Sequence, residues 1–136
     1  RAGEFLTAGI ISAVVVQVLK RLVFAPSPRP MAVINWGDTQ LAEGVGIDMP
    51  LHFAFPSGHT TTAFIWFALI ALHWNRPVLQ LFSALCAIAV AVSRVYLMVH
   101  WITDVMAGAL LGVAIAVIVH HTFLRVQKNR SLKRSG

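Results

Sequence analysis

Residues 101–124 read WITDVMAGALLGVAIAVIVHHTFL, a stretch in which Asp104 is the single formally charged side chain. At the rise of an α-helix this length spans roughly 36 Å, enough to cross a hydrocarbon layer about 30 Å thick. Moving outward toward the N-terminus, further apolar runs extend from Val78 to Val99, from Ser57 to Leu72 and from Phe5 to Phe24. With 57% hydrophobic and 12% charged residues, the 136-residue chain has too few polar side chains to clothe a compact soluble domain. The expected fold is all-α, a polytopic transmembrane helix bundle forming one domain over residues 1–136, with four spans visible. The run from Ser57 is short and opens on polar residues, so it is expected to begin in a cleft or at the interface rather than in lipid.

The runs are punctuated consistently. Ala25-Pro26-Ser27-Pro28-Arg29-Pro30 cannot continue a helix, because proline removes amide donors and biases its neighbours toward extended backbone. From Met31 to Phe55 the chain carries Asn35, Gly37, Asp38, Glu43, Gly44, Gly46 and Asp48, which reads as an extramembrane loop with apolar anchors at Trp36 and Phe53 and the makings of a lid. His73-Trp74-Asn75-Arg76-Pro77 reads as a tight turn, with Trp74 suited to the membrane interface. Residues 125–136 are basic and polar and read as a solvated tail near anionic headgroups. The lone Cys86 lies in an apolar run and has no disulfide partner. No signal peptide is evident and the first residue is Arg, so the sequence is expected to start partway into a longer protein.

The formal charge of +6 is more telling by position than by sum. Arg1, Arg76, Arg125, Lys128, Arg130, Lys133 and Arg134 all fall at one set of span ends, which the positive-inside rule makes cytoplasmic. That distribution favours a membrane topology over a nucleic-acid partner. Lys20, Arg21, Arg29 and Arg94 lie at or near the opposite ends, where they either snorkel to the interface or bind an anion.

Threading the spans alternately gathers three polar clusters at that end: Lys20 to Pro30, Pro56 to His59, and Ser93 to Asp104. His100 and Asp104 are four residues apart, so a helix starting near His100 would place them on one face. A carboxylate on one imidazole nitrogen fixes the tautomer and frees the other to attack; the plainer alternative is a structural His–Asp pair. Ser57 can cap the helix that follows, whose free amides and dipole attract phosphate, and Gly58 lets an anion approach the backbone. His59, in the first turn, is placed to protonate a departing alkoxide. Arg94 and Arg29 offer planar forks for phosphate oxygens. No His, Cys, Asp or Glu run has metal-ligand spacing and the acidic residues are scattered, so no metal or cofactor is expected and the chemistry is expected to be metal-independent. His73 and the His120-His121 pair are expected to be interfacial, and Gly108 and Gly112 to permit close helix packing within one protein or between two.

Pro56-Ser57-Gly58-His59, followed by Ser93-Arg94, five residues, His100, three residues and Asp104, resembles the second and third signature motifs of the type 2 phosphatidic acid phosphatase superfamily in residue type and spacing. The resemblance implies that His100 becomes a phosphohistidine, Asp104 orients it, His59 is the general acid, and Ser57, Gly58 and Arg94 hold the phosphate. The first motif, a Lys, six residues and then Arg-Pro, matches at Arg29-Pro30 but has Leu22 where the Lys would stand. Lys20 is the choice for that role and Arg21 the runner-up, with an insertion among Pro26, Ser27 and Pro28 absorbing the difference. Membrane members of the family typically have six helices, so the four spans resemble the last four and two N-terminal helices are expected to be missing. Soluble relatives, the bacterial acid phosphatases and vanadium haloperoxidases, share the motifs but not the apolar spans.

The implied function is an integral membrane lipid phosphate phosphatase acting without metal in two steps through phosphohistidine. Undecaprenyl pyrophosphate, phosphatidylglycerophosphate, phosphatidic acid and lipid A are the candidate substrates, and other membrane lipids the surroundings. The alternatives are a lipid phosphotransferase using the same intermediate and a non-catalytic lipid-phosphate binding or transport protein. The expected location is a bacterial inner membrane with the site facing the periplasm or cell exterior; the oligomeric state is left open.

Overall fold

The apolar runs fold as helices whose ends follow from their flanking residues. The computed structural model describes residues 2–33, 52–74 and 76–135. Helix α1 (Ala2–Val18) passes into a π-helical turn, Leu19–Val23, closed by the Phe24 amide donating to the Leu19 carbonyl at 2.9 Å. The prolines from Pro26 onward then prevent its extension. A single turn, α2 (Pro30–Val33), follows. Helix α3 (Gly58–His73) is capped by Ser57, whose hydroxyl accepts the Thr60 amide. Helix α4 (Pro77–Tyr96) starts on a proline, where a missing amide proton costs nothing. Helix α5 (Ile102–Ser135) completes the chain, and no strand occurs among the described residues.

Three of these segments, Ala2–Val23, Pro77–Tyr96 and Ile102–Arg134, are long and apolar enough to cross a membrane. The expected all-α transmembrane bundle is borne out. At 16 residues α3 is the short member, in keeping with its polar start. Two boundaries differ from the sequence expectation. The run expected to reach Val99 stops being helical at Tyr96, because Met98 takes a left-handed φ of 55° and turns the chain. The run expected to end at Leu124 instead continues as helix to Ser135, since Arg, Gln, Lys and Leu are all good helix formers. The basic segment 125–134 is thus an exposed helical extension. The loop and lid expected around Trp36, like Asn75 in the 73–77 turn, lie outside the described residues.

Packing uses small side chains at intervals of four. Ser83, Ala87 and Ala91 are the buried residues of α4, and Ala8, Ser12 and Val16 continue the buried stripe that Glu4 begins on α1. Such stripes let helix backbones approach closely where lipid offers no hydrophobic driving force. The closest approach is between α3 and α5: a Cβ placed on Gly108 would lie 2.7 Å from the Ser57 carbonyl oxygen, and one on Gly112 2.5 Å from that of Thr61. The two glycines therefore serve packing inside the chain. The core joins Ala8 of α1, Ile65 and Leu69 of α3, and Ile115, Ala116 and Val119 of α5. Large apolar side chains meanwhile face outward, with Val78 82%, Leu22 78% and Leu110 73% exposed, as expected of a protein whose solvent is hydrocarbon.

Candidate active site

Turns far apart in sequence meet at one end of the bundle, and hydrogen bonds tie each to the others. The Ser27 carbonyl accepts the Ala54 amide at 3.1 Å, and the Ser27 hydroxyl accepts the Phe55 amide at 3.1 Å. The Pro28 carbonyl accepts the indole N–H of Trp101 at 2.9 Å, and the Met31 amide donates to the Met98 carbonyl at 3.3 Å. The Ser57 amide donates to the Asp104 carbonyl at 3.0 Å, closing the triangle. Phe24 and Phe55 meet edge-on, their centroids 4.5 Å apart. These links fix the proline-rich turn against the start of α3 and the start of α5.

His100 and Asp104 are adjacent, though not through a shared helical face. Helix α5 begins at Ile102, so His100 precedes it. Asp104 is the third residue of the helix, and its Oδ2 accepts the Trp101 amide at 2.9 Å, reaching back as the acidic member of a capping box does. The same oxygen lies 3.4 Å from His100 Nδ1, and both residues are 3% exposed. The pair is in ion-pair range, while Nδ1 makes no properly aligned hydrogen bond among the described residues. Because Nδ1 faces the carboxylate, Nε2 is the nitrogen left to act on a ligand.

The start of α3 supplies the next groups. Ser57 is fully buried, and its Oγ accepts from the Thr60 amide at 3.4 Å and from the Thr60 hydroxyl at 2.9 Å, leaving its own proton to donate. A Cβ on Gly58 would only touch Val16 Cγ1 at an ordinary 3.4 Å. Helix packing therefore does not demand glycine there, whereas close approach of an anion to the backbone would. His59 is exposed at the mouth of the site.

The basic residues converge on the same place. Lys20, Arg21 and Arg29 line a cavity of about 600 Å³ together with Gln17, Ala25 and Phe53, a size suited to a lipid headgroup. His59 is within electrostatic range of Lys20, Arg29, Arg94 and His100, and Lys20 within range of Arg29 and Asp104. Burial pushes the Arg29 guanidinium below its usual pKa, while the Asp104 carboxylate opposes the shift. Arg94, in the last turn of α4, donates from Nε to the Ser93 hydroxyl at 3.2 Å, which steadies its fork. Among the described residues several cations thus share one carboxylate, an imbalance that a bound anion would relieve.

Lys20, Arg29, Ser57, Gly58, His59, Arg94, His100 and Asp104 are all brought to this end. Lys20 is half-buried and Arg21 exposed. The π-turn carrying both takes an extra residue into the helix, which accounts for part of the surplus spacing before Arg29. Sequence reasoning missed Trp101, which clasps the proline turn, and Gln17, which lines the cavity. Gln17 was findable as a polar residue in an apolar run, one helical turn before Lys20. His73 and His120, expected at the interface, are instead packed around buried Glu4 at the far end, because α1, α3 and α5 converge there.

The chain's relatives share this architecture. A family model described as the PAP2 superfamily matches residues 1–128. The undecaprenyl-diphosphatase of Sulfolobus acidocaldarius is 31% identical over 115 residues, which cover 82% of this chain and 50% of that protein. The crystal structure of Aquifex aeolicus LpxE aligns with a TM-score of 0.66 at 31% identity, over 87% of this chain and 66% of that one. A transmembrane PAP2-type phosphatidylglycerolphosphate phosphatase from Bacillus subtilis aligns with a TM-score of 0.70 at 23% identity, over 90% of this chain and 58% of that one, a likeness of fold. The chain thus spans about half the length of the Sulfolobus relative. From the match over nearly all of its residues, the chain belongs to the PAP2 superfamily.

Proposed function

We propose that this chain carries the catalytic site of an integral membrane phosphatase that hydrolyses a lipid phosphomonoester or diphosphate without a metal. The observation that carries the reading is the His100–Asp104 pair held by the Trp101 amide beside a cavity lined by Lys20 and Arg29. His100 Nε2 attacks phosphorus, forming a P–N bond as the bond to the leaving oxygen breaks, and His59 gives that oxygen its proton. Water then attacks the phosphohistidine, giving its proton to the now neutral His59 as the P–N bond breaks, which releases phosphate and restores both imidazoles. Lys20, Arg29 and Arg94, with the amides at the start of α3, meet the charge that builds on the equatorial oxygens. That positive lining supplies the neutralisation a metal would otherwise provide.

Relatives named for undecaprenyl diphosphate and phosphatidylglycerophosphate support a lipid as the substrate. The basic residues Arg76, Arg125, Lys128, Arg130, Lys133 and Arg134 sit toward the opposite end from His100, which favours a cytoplasmic location for that end and an outward-facing site. The test is phosphate release in detergent from undecaprenyl pyrophosphate, phosphatidylglycerophosphate, phosphatidic acid and lipid A, with a chelator present. Release that survives chelation and is lost in His100→Ala supports the mechanism. Equal release by His100→Ala, or none from the folded native protein on any of these lipids, sinks it.

A further inference from the structure

The end of the bundle away from His100 holds a second group of titratable side chains that the reaction does not use. Glu4 lies in the first turn of α1 and is 2% exposed, an expensive place for a carboxylate without partners. Its partners come from two other helices. His73, the last residue of α3, brings Nε2 to 2.9 Å from Glu4 Oε2, and His120 of α5 brings Nδ1 to 3.2 Å from the same oxygen. The two imidazole side chains are 8% and 11% exposed. Despite its closeness, His73 Nε2 makes no aligned hydrogen bond to that oxygen or to any other described group. A buried ring nitrogen is thus aimed into the cluster with its hydrogen-bonding capacity unused.

The three donor atoms lie within 4.8 Å of one another. Ligand bonds of about 2.0–2.1 Å in a tetrahedral zinc site separate the donors by roughly 3.4 Å, so little movement would let them share an ion. Phe5, stacked on His73 with centroids 6.0 Å apart and itself 5.4 Å from Trp66, forms an apolar wall that would strengthen such bonds. We propose that Glu4, His73 and His120 supply three ligands of a site for a divalent transition-metal ion that bridges the helices, with zinc the best match to two imidazoles and one carboxylate and a water completing its tetrahedron. The site is about 24 Å along α5 from Asp104, so it takes no part in phosphate chemistry and does not depend on the proposed function. Its work would be to staple α1 to α3 and α5. The rest of the buried α1 stripe, Ala8, Ser12 and Val16, offers little side-chain area for that purpose.

The test uses the full chain in detergent, stripped with a chelator and then titrated with zinc, with magnesium as control. The expected result is about one tightly bound zinc per chain by elemental analysis and a melting temperature raised by about 5 °C or more at saturation, with no effect of magnesium. Cobalt(II) should give the intense visible bands of a tetrahedral N/O site. Glu4→Gln and His120→Gln should weaken zinc binding by at least about 100-fold, while His100→Ala should bind zinc as the native chain does. The proposal is overturned if the native chain binds no stoichiometric zinc and its melting is unmoved, which needs no variant to fold. It is equally overturned if Glu4→Gln and His120→Gln bind as tightly as native, or if His100→Ala is the change that abolishes binding.

Discussion

The two polar ends of this bundle are built on opposite plans. At the His100 end, His100, Ser57 and Arg29 sit on turns or helix starts, and hydrogen bonds between turns hold them in place. At the Glu4 end, Glu4, His73 and His120 stand on the helices themselves and meet where α1, α3 and α5 converge. Among the described residues, the His100 end gathers cations around one carboxylate and the Glu4 end gathers imidazoles around another. Groups on turns can shift as a ligand enters, whereas groups on packed helices move only when the bundle does. The first plan suits turnover and the second suits permanence.

The two ends should therefore respond differently to substitution. His100→Ala should lower phosphate release by on the order of 1,000-fold or more, with melting temperature unchanged, because it removes the nitrogen proposed to attack and little packing. If melting fell as far as activity, His100 would be structural and the contrast between the ends would fail. Asp104→Asn should cost about 100-fold in kcat with a small change in KM, since the amide oxygen can still accept the Trp101 N–H while losing the charge that steadies a histidine cation.

Gly112→Val should act through packing alone, destabilising by about 2–3 kcal/mol, because its Cβ would meet the Thr61 carbonyl. A melting temperature roughly 10 °C lower, with near-native kcat in the surviving protein at low temperature, would show that the α3–α5 contact is separable from the chemistry. The smallest effect concerns the first motif. Lys20→Ala should reduce kcat/KM about tenfold, whereas Arg21→Ala should stay within about twofold, as for an exposed charge near a site. The reverse order would assign the phosphate contact to Arg21.

Much of the His100 end was readable in the chain because local spacing carries it. Ser57-Gly58-His59 announces a helix start, and the five residues between Arg94 and His100 leave room for one turn between helices. What spacing did not reveal was the means: the left-handed Met98 places His100 ahead of α5, and Asp104 reaches it through a cap instead of a helical face. The Glu4 end carried no local signal. His120 and Glu4 are 116 residues apart in sequence, and their meeting depends on how α1 leans on α5, which no periodicity encodes. The basic stretch after Leu124 is exposed, and only its helical form goes beyond the sequence expectation, because polarity marks solvation while the high helix propensity of those residues sets the backbone.

The shortness of α3 has a consequence for the lipid around it. Its 16 residues rise only about 24 Å, several ångströms less than an average bilayer core. Either the surrounding leaflets thin to meet it, or Ser57 and His59 lie sunk below the headgroup plane, where on the proposed function a lipid would have to dip to present its phosphate. In both cases acyl-chain length becomes a rheostat: bilayers of shorter chains would bring headgroups down to the cleft, and thicker, sterol-like membranes would lift them away from it.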